Sequence, residues 1–381
     1  MSVRFVDEFR DRDLAQALAG GIRAHADPGR TYHLMEFCGG HTHAIFRYGV
    51  LDLLPDNVRL IHGPGCPVCV LPMARIAHAL ELACAHKVIL CTYGDLFRVP
   101  GPERQTLMKA KAQGGDVRMV WSCLDALKIA QANPDREVVF FAIGFETTTP
   151  PTAVALLQAD ALGLANFSVH CNHVLTPPAI CGLLDSPDAQ AEGAVPLDGF
   201  IGPAHVSAVI GSRPFEPFAE RYRRPVVIAG FEPLDVMQAI RMLIIQLNEG
   251  RAEIENEYTR VVSRDGNAKA QALMARVFEV RESFEWRGLG QVPLSALRIR
   301  DDFARFDAER RFALTDVEIA DNKACDCGAV LRGLKEPTDC KLFATICTPD
   351  NPIGSCMVSS EGACAAYYTF RRTRQPRCAT G

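Results

Sequence analysis

The chain predicts an α/β fold: two similar parallel-sheet α/β domains with helices on both faces, followed by a small irregular C-terminal domain. Three observations carry that expectation. Eight short apolar runs recur between Tyr32 and Ala229, with helical patterns between them, the alternation of parallel strands and crossover helices. The strings CGGHTH, HGPGCPVC, CTYGD, GFETTT, NHV, GPAH and GFEP each follow such a run directly, where open parallel sheets bind ligands. Seven of the 15 cysteines fall in the last 57 residues, in Gly- and Pro-rich sequence with little periodicity.

Residues 8–25, with Phe9, Leu14, Leu18 and Ile22 on one stripe, read as an amphipathic packing helix in an N-terminal segment 1–30. A first α/β domain is expected over 31–133, with strands at Tyr32 to Phe37, Val58 to Ile61, Val88 to Cys91 and Val117 to Trp121. Helices are expected over 72–86 and 103–113. A second domain, 134–232, carries strands at Glu137 to Ile143, Phe167 to Cys171, Gly199 to Ile201 and Pro225 to Ala229. Its helices open near Pro150, Pro177 and His205. Gly144-Phe145-Glu146 and Gly230-Phe231-Glu232 both end strands, a short echo that suggests duplication. The segment 233–320 reads as a long helix from Pro233 to about Glu257, packed across both domains. A helix over 268–280 and loop-like sequence around Trp286 follow, and the cysteine-rich domain occupies 321–381.

The hydrophobic share of 48% and charged share of 23% are those of an ordinary soluble chain. Net charge is -4, and no basic cluster is interleaved with aromatics, which argues against nucleic acid. Arg371, Arg372 and Arg374 read as a solvated terminus. The charged N-terminus lacks the apolar core of a signal peptide, and no apolar run approaches the roughly 20 residues that span a bilayer. A cytoplasmic location is expected, with no membrane. In that reducing compartment so many thiols point to metal or catalysis rather than a disulfide framework.

Cys66 and Cys69 stand two residues apart between a strand end and a helix start, in a loop stiffened by Pro64 and Pro67. Helix N–H groups favour the thiolate, which attacks disulfides and binds metal. Half of a zinc site is the competing reading, but it wants a second C-x-x-C, and the chain has none. A redox pair is therefore favoured. Cys325, Cys340, Cys347 and Cys364 give C-x14-C-x6-C-x16-C. Zinc sites use short paired spacings, whereas iron–sulfur clusters tolerate long uneven loops, so a [4Fe-4S] cluster is favoured over zinc. Cys327 and Cys356 either replace a ligand, stay inert or form a dithiol beside the cluster; Cys378 reads as inert. A dithiol next to a one-electron centre converts single electrons into the two that a disulfide takes. The order suggested is external donor, cluster, Cys327 with Cys356, then Cys66 with Cys69.

The strings FCGGHTHAIFRYG, HGPGCPVCV, GFETTTPPTA, NHVLTPPA and GFIGPAHVSAVIG, with the cysteine tail, resemble the HypD family of [NiFe]-hydrogenase maturation factors. The match runs from Tyr32 to Tyr368, in the family's order. The resemblance implies a scaffold, in complex with the small partner HypC, on which an iron carrying two cyanides and one carbon monoxide, Fe(CN)2CO, is assembled. HypE, charged by HypF, supplies the cyanides. It further implies Cys38 as an iron-binding thiolate, with His41 beside it, and Cys66 and Cys69 as the redox pair. Cys325, Cys340, Cys347 and Cys364 become the [4Fe-4S] ligands, with a dithiol of Cys327 and Cys356 nearby. Soft thiolates suit low-spin iron with strong-field ligands, and Gly39-Gly40 suggests a loop with room for a bulky cargo. His41 is expected as a donor to cyanide or an acid–base group rather than a ligand, and His43 as structural. Glu146, His173, His205 and Glu232 are candidates for the facing wall. Cys84, Cys91, Cys123, Cys171 and Cys181 are expected in the core. A protein-disulfide reductase working like ferredoxin-thioredoxin reductase is the alternative activity; it leaves Cys38 idle.

Overall fold

The structure is a computed structural model that describes residues 7–191, 195–314 and 319–370. Arg371, Arg372, Arg374 and Cys378 lie outside the described residues. Two parallel sheets organise the chain. The first runs in the order β2 (Val58–His62), β1 (Tyr32–Glu36), β7 (Gly199–Pro203), β8 (Val226–Ala229) and β9 (Ile254–Asn256). The second runs β4 (Val117–Met119), β3 (Ile89–Thr92), β5 (Val138–Gly144) and β6 (Phe167–His173), and all pairings within both sheets are parallel.

The division expected at 133/134 runs through the middle of the second sheet. β3 pairs with β5 in the register Ile89↔Val138, and β1 pairs with β7 in the register Leu34↔Gly199. The second sheet is thus inserted between β2 and β7 of the first. Parallel strands are joined by long crossovers, so a run of buried strands in sequence is silent about which neighbour each one takes. The strand orders, 2-1-7-8 and 4-3-5-6, follow one scheme, and that is where the two units repeat. The Gly-Phe-Glu echo ends β5 and β8, which are third and fourth in their sheets, so it does not mark equivalent strands.

Alternate residues of each strand serve opposite faces. Met35, Phe37, Phe200, Val226 and Ile228 of the first sheet share one core with Leu90, Val117, Val139, Phe141 and Ile143 of the second. Ile76, Ala79 and Leu82 of helix Met73–Cys84 and Phe218 of helix Glu216–Tyr222 complete it. The outer face of the first sheet, through Leu34, Ile201 and Val227, packs on Ile22 of helix Arg12–His25 and on Ile240 and Leu243 of helix Pro233–Asn248. The second sheet's outer face packs Val138, Phe140 and Ala142 against Ala126, Leu156 and Val277. Every residue of β5 is buried, which is why it reads as a continuous apolar run rather than an alternating one.

The long helix expected to about Glu257 ends at Asn248 and packs on the first sheet, against β7, β8 and helix Gly39–Tyr48. Gly250, at φ 68°, turns the chain so that Ile254–Asn256 adds an edge strand. Helix Ala268–Val277 also ends early, and Phe278–Val280 pairs with Leu297–Ile299. The loop-like region around Trp286 is a hairpin of Ser283–Trp286 and Gly290–Pro293, with the indole N–H donating to Ser295 Oγ at 2.8 Å. The C-terminal cysteine region is short turns ending in helix Ala363–Phe370, which packs on helix Gly39–Tyr48. Arg98 ties it to the second sheet by donating to the Val358 carbonyl at 2.8 Å and the Pro349 carbonyl at 3.2 Å.

Candidate functional site

A parallel sheet binds ligands where its strand order reverses, beyond the carboxyl ends. In the first sheet that point lies between β1 and β7, and the loops there carry Cys38 and His205. In the second it lies between β3 and β5, whose loops carry Tyr93 to Asp95 and Gly144 to Thr148. Both points open on one cleft of about 620 Å³, lined also by Cys66, Trp121 and Glu361. A shared cleft is present, and four of the seven polar strand ends, HGPGCPVC, CTYGD, GFETTT and GPAH, line it.

Cys38 caps the helix Gly39–Tyr48 rather than sitting in an open loop. The glycines are filled by neighbours instead of leaving room for cargo. A Cβ on Gly39 would lie 2.5 Å from Glu361 Cβ, one on Gly40 2.9 Å from Phe231, and one on Gly65 2.3 Å from the Cys38 nitrogen. Gly39 N–H donates to the Gly65 carbonyl at 3.2 Å, so the Cys38 and Cys66 loops touch backbone to backbone. Buried Glu36 anchors this corner, accepting the Cys38 amide at 2.8 Å and the Thr42 hydroxyl, with His62 Nδ1 at 2.8 Å.

His205 Nδ1 lies 3.4 Å from Cys38 Sγ. Burial pushes the Cys38 thiol well up, and the carboxylates of Glu361 and Glu36 add to it, while the amides of Gly40 and His41 pull the other way. Burial also pushes His205 down to about 4, with His41 as a further cause. The resting pair is a neutral thiol beside a neutral imidazole, and a cation bound by sulfur must displace a proton.

His41 Nε2 is 3.0 Å from both the Ala229 and Gly230 carbonyls, so it carries the hydrogen, and Nδ1 is left buried without a partner. Burial lowers its pKa. The only N–H of the neutral ring is therefore committed to backbone, which removes the expected donor to cyanide. Its ring stands 5.0 Å from Phe231, which stands 5.2 Å from His205. His43 meets the Ser360 carbonyl at 3.4 Å, a structural contact.

Of the facing-wall candidates, only His205 reaches the cleft. Glu146 accepts the Thr176 amide at 2.8 Å and hydroxyl at 3.0 Å at the start of helix Thr176–Leu184. His173 is held by Thr152 Oγ1 at 3.0 Å, and Glu232 caps helix Pro233–Asn248 and pairs with Arg10. Asp95, Trp121 and Glu361 went unread as site residues. Glu361 was detectable as the single charged residue between Cys356 and Cys364.

Cys66 opens the helical turn Pro67–Val70, and its sulfur accepts the Cys69 amide at 3.4 Å. The expected thiolate is not at Cys66, where burial wins over one short turn and raises the pKa. At Cys69 burial raises the thiol, but hydrogen bonds from Cys356 and Cys66 outweigh it and bring the pKa down to about 7. Cys356 bridges to Cys327, whose sulfur accepts the Cys356 amide at 3.4 Å. A row of sulfurs thus runs Cys66, Cys69, Cys356, Cys327. Cys356 and Cys327 line one pocket together with Cys325, Cys340, Cys347, Cys364, Phe343 and Met357. The Ile353 amide donates to Cys347 Sγ at 3.4 Å.

Burial and neighbouring thiols hold Cys364 well up, since thiolates this close repel; a cationic iron–sulfur core relieves that repulsion. Among the described residues no three His, Cys, Asp or Glu side chains converge as a single ion needs. Six thiols spaced around one pocket suit a multi-iron cluster better than one tetrahedral ion. Cys91, Cys123 and Cys171 are core as expected, Cys181 is half-buried, and Cys84 is exposed at a helix end.

A family model described as "HypD: Hydrogenase formation hypA family" matches residues 13–371. The hydrogenase maturation factor HypD of Cupriavidus necator is 65% identical over 97% of this chain and 98% of that protein. That of Azotobacter vinelandii is 65% identical over 98% of each, and that of Escherichia coli K12 is 47% identical over 97% of this chain and 99% of that protein. The chain therefore belongs to the HypD family of hydrogenase maturation factors.

Proposed function

We propose that the chain acts in the cytoplasm as the scaffold, with a HypC-type partner, on which the Fe(CN)2CO unit of a [NiFe]-hydrogenase is assembled, the cyanides coming from a HypE-type donor charged by HypF. The observation that carries this reading is one row of sulfurs running from Cys66, on the wall of a cleft whose His205 lies 3.4 Å from Cys38 Sγ, to a pocket lined by six cysteines. Cys38 Sγ is the ligand for the iron cargo, with the neutral imidazole of His205 3.4 Å from it. His41 holds the Cys38 helix against β8 through the Ala229 and Gly230 carbonyls rather than meeting the cargo. Glu36 fixes the loop through the Cys38 amide.

Cys325, Cys340, Cys347 and Cys364 are the residues that hold a [4Fe-4S] cluster, which when bound supplies electrons one at a time. Cys327 and Cys356 gather two electrons as a dithiol, and Cys66 and Cys69 deliver them beside Cys38. Anaerobic infrared spectroscopy of the protein with its small partner tests the reading: cyanide and carbonyl bands are expected, and they vanish in Cys38→Ala while the cluster absorbance stays. Bands that persist in that variant overturn the assignment.

The sulfur row alone also supports the reductase activity, in which another protein's disulfide is the substrate. Cys69 is fully buried and Cys66 is 3% exposed, which disfavours attack on a folded partner. Turnover of a protein disulfide by Cys38→Ala at the wild-type rate decides for that activity instead.

A further inference from the structure

Ser355 is fully buried where the two cysteine pairs meet. Its hydroxyl donates to the Cys69 carbonyl at 2.9 Å, and the same oxygen is 3.6 Å from Cys327 Sγ. Its own carbonyl is 4.0 Å from Cys69 Sγ, and the next residue is Cys356. One side chain therefore touches the chain segment of one pair and a sulfur of the other. The hydroxyl proton is committed to the carbonyl, which leaves an oxygen lone pair facing Cys327.

The row itself restricts the chemistry. Displacement at sulfur proceeds along the S–S axis, so the attacked sulfur must lie between nucleophile and leaving group. Cys66 Sγ accepts the Cys69 amide at 3.4 Å, Cys69 Sγ lies 4.0 Å from the carbonyl of Ser355, the neighbour of Cys356, and Cys327 Sγ accepts the Cys356 amide at 3.4 Å, so the inner sulfurs of the row are Cys69 and Cys356. Resting on the relay proposed above, in which disulfide exchange between the pairs runs through Cys69 and Cys356, we infer that Ser355 is the positioning residue that holds those two sulfurs in register.

Cys356, as thiolate, attacks Cys69 Sγ of a Cys66–Cys69 disulfide. The Cys356–Cys69 bond forms, the Cys66–Cys69 bond breaks, and Cys66 leaves and takes up the proton that Cys356 released. Cys327 then attacks Cys356 Sγ; Cys69 leaves with the proton from Cys327, and a Cys327–Cys356 disulfide remains. Two electrons pass from one dithiol to the other, and no further oxidant or reductant enters. Ser355 serves both displacements. Its bond to the Cys69 carbonyl fixes the Pro67–Val70 turn against residues 355–357, and its oxygen holds the Cys327 side chain toward Cys356.

The test uses full-length anaerobic protein with both pairs oxidised, reduced methyl viologen as the donor, and timed quenching with N-ethylmaleimide before peptide mass spectrometry. In the wild type Cys327 and Cys356 are labelled first and Cys66 and Cys69 after them. Ser355→Ala is expected to slow the second labelling about tenfold, as for one hydrogen bond lost from the exchange geometry. The first labelling and the midpoint potentials of both pairs stay unchanged, and Ser355→Thr restores the rate. A Ser355→Ala rate equal to wild type overturns the inference, as does a rate loss matched by a shifted potential, the mark of general distortion. Independently of Ser355, mild oxidation of the Cys66→Ser, Cys327→Ser double variant is expected to give a Cys69–Cys356 disulfide, and its absence also overturns the inference. If wild-type Cys66 and Cys69 stay oxidised while Cys327 and Cys356 are labelled, the relay fails and this inference with it. A wild-type relay indifferent to Ser355→Ala leaves the relay standing and sinks this inference alone.

Discussion

At Cys38 two opposing influences act on one sulfur. The helix amides behind it favour the thiolate, yet burial and the carboxylates of Glu361 and Glu36 win and hold the thiol well above its ordinary value. Glu361 is the influence that one substitution removes cleanly, because no hydrogen bond ties it to Cys38. Glu361→Gln is expected to lower the Cys38 pKa, seen as faster alkylation of Cys38 at fixed neutral pH in the metal-free protein; unchanged or slower alkylation contradicts the assignment. Gly65 is the opposite case, since its bare face is what lets the two cysteine loops touch. Gly65→Ala puts a methyl group 2.3 Å from the Cys38 nitrogen and must push the loops apart. The expected outcome is loss of the cyanide and carbonyl infrared bands with the cluster spectrum intact. Neither effect was legible from sequence. Cys38, Cys66 and Cys69 announce themselves by residue type, whereas Glu361 and Gly65 matter only through what folding sets beside them.

Among the elements, strands buried on both faces were legible because such a strand is apolar throughout, as β5 is. The element that opens on Cys38 was not. Gly39-Gly40-His41-Thr42-His43 is poor helix-forming sequence, and tertiary contacts hold it helical: Glu36 to Thr42, Phe231 against Gly40, and His41 to β8. β9 was missed because Ile254-Glu255-Asn256 is a short polar edge. The start of helix Thr176–Leu184 makes a prediction about pH. Burial raises Glu146 from 4.5 to about 7, and hydrogen bonds from Thr176 only partly offset this. A carboxyl that binds its proton more tightly when folded contributes stability fully present below the unfolded pKa. That contribution is lost as pH rises from about 4.5 through about 7, and amounts to on the order of 3 kcal/mol. Urea midpoints are expected to fall across that window, and Glu146→Gln flattens the slope. A slope that survives the substitution assigns it to another group.

Across the whole molecule, the feature hidden from sequence is that one sheet is inserted into the other. Had the halves been consecutive, each sheet would own a core and could unfold alone. Here β2 and β7 flank the inserted sheet in sequence, so its unfolding drags on both, and the inner faces of the two sheets share one core. Phe141 is fully buried in that core, on the face of β5 turned to the first sheet. Phe141→Ala removes a ring from between the sheets and is expected to cost about 3–5 kcal/mol. Because the core is common, the loss should appear as a lower midpoint of a single transition, with tryptophan fluorescence and far-ultraviolet circular dichroism moving together. Trp286 lies in the shared core and Trp121 on the cleft rim, so the fluorescence reports on both sheets at once. Two resolved transitions, with only one moved by Phe141→Ala, contradict the shared core. They also undercut the cleft, since its two walls belong to different sheets and keep their spacing only while that core holds them together.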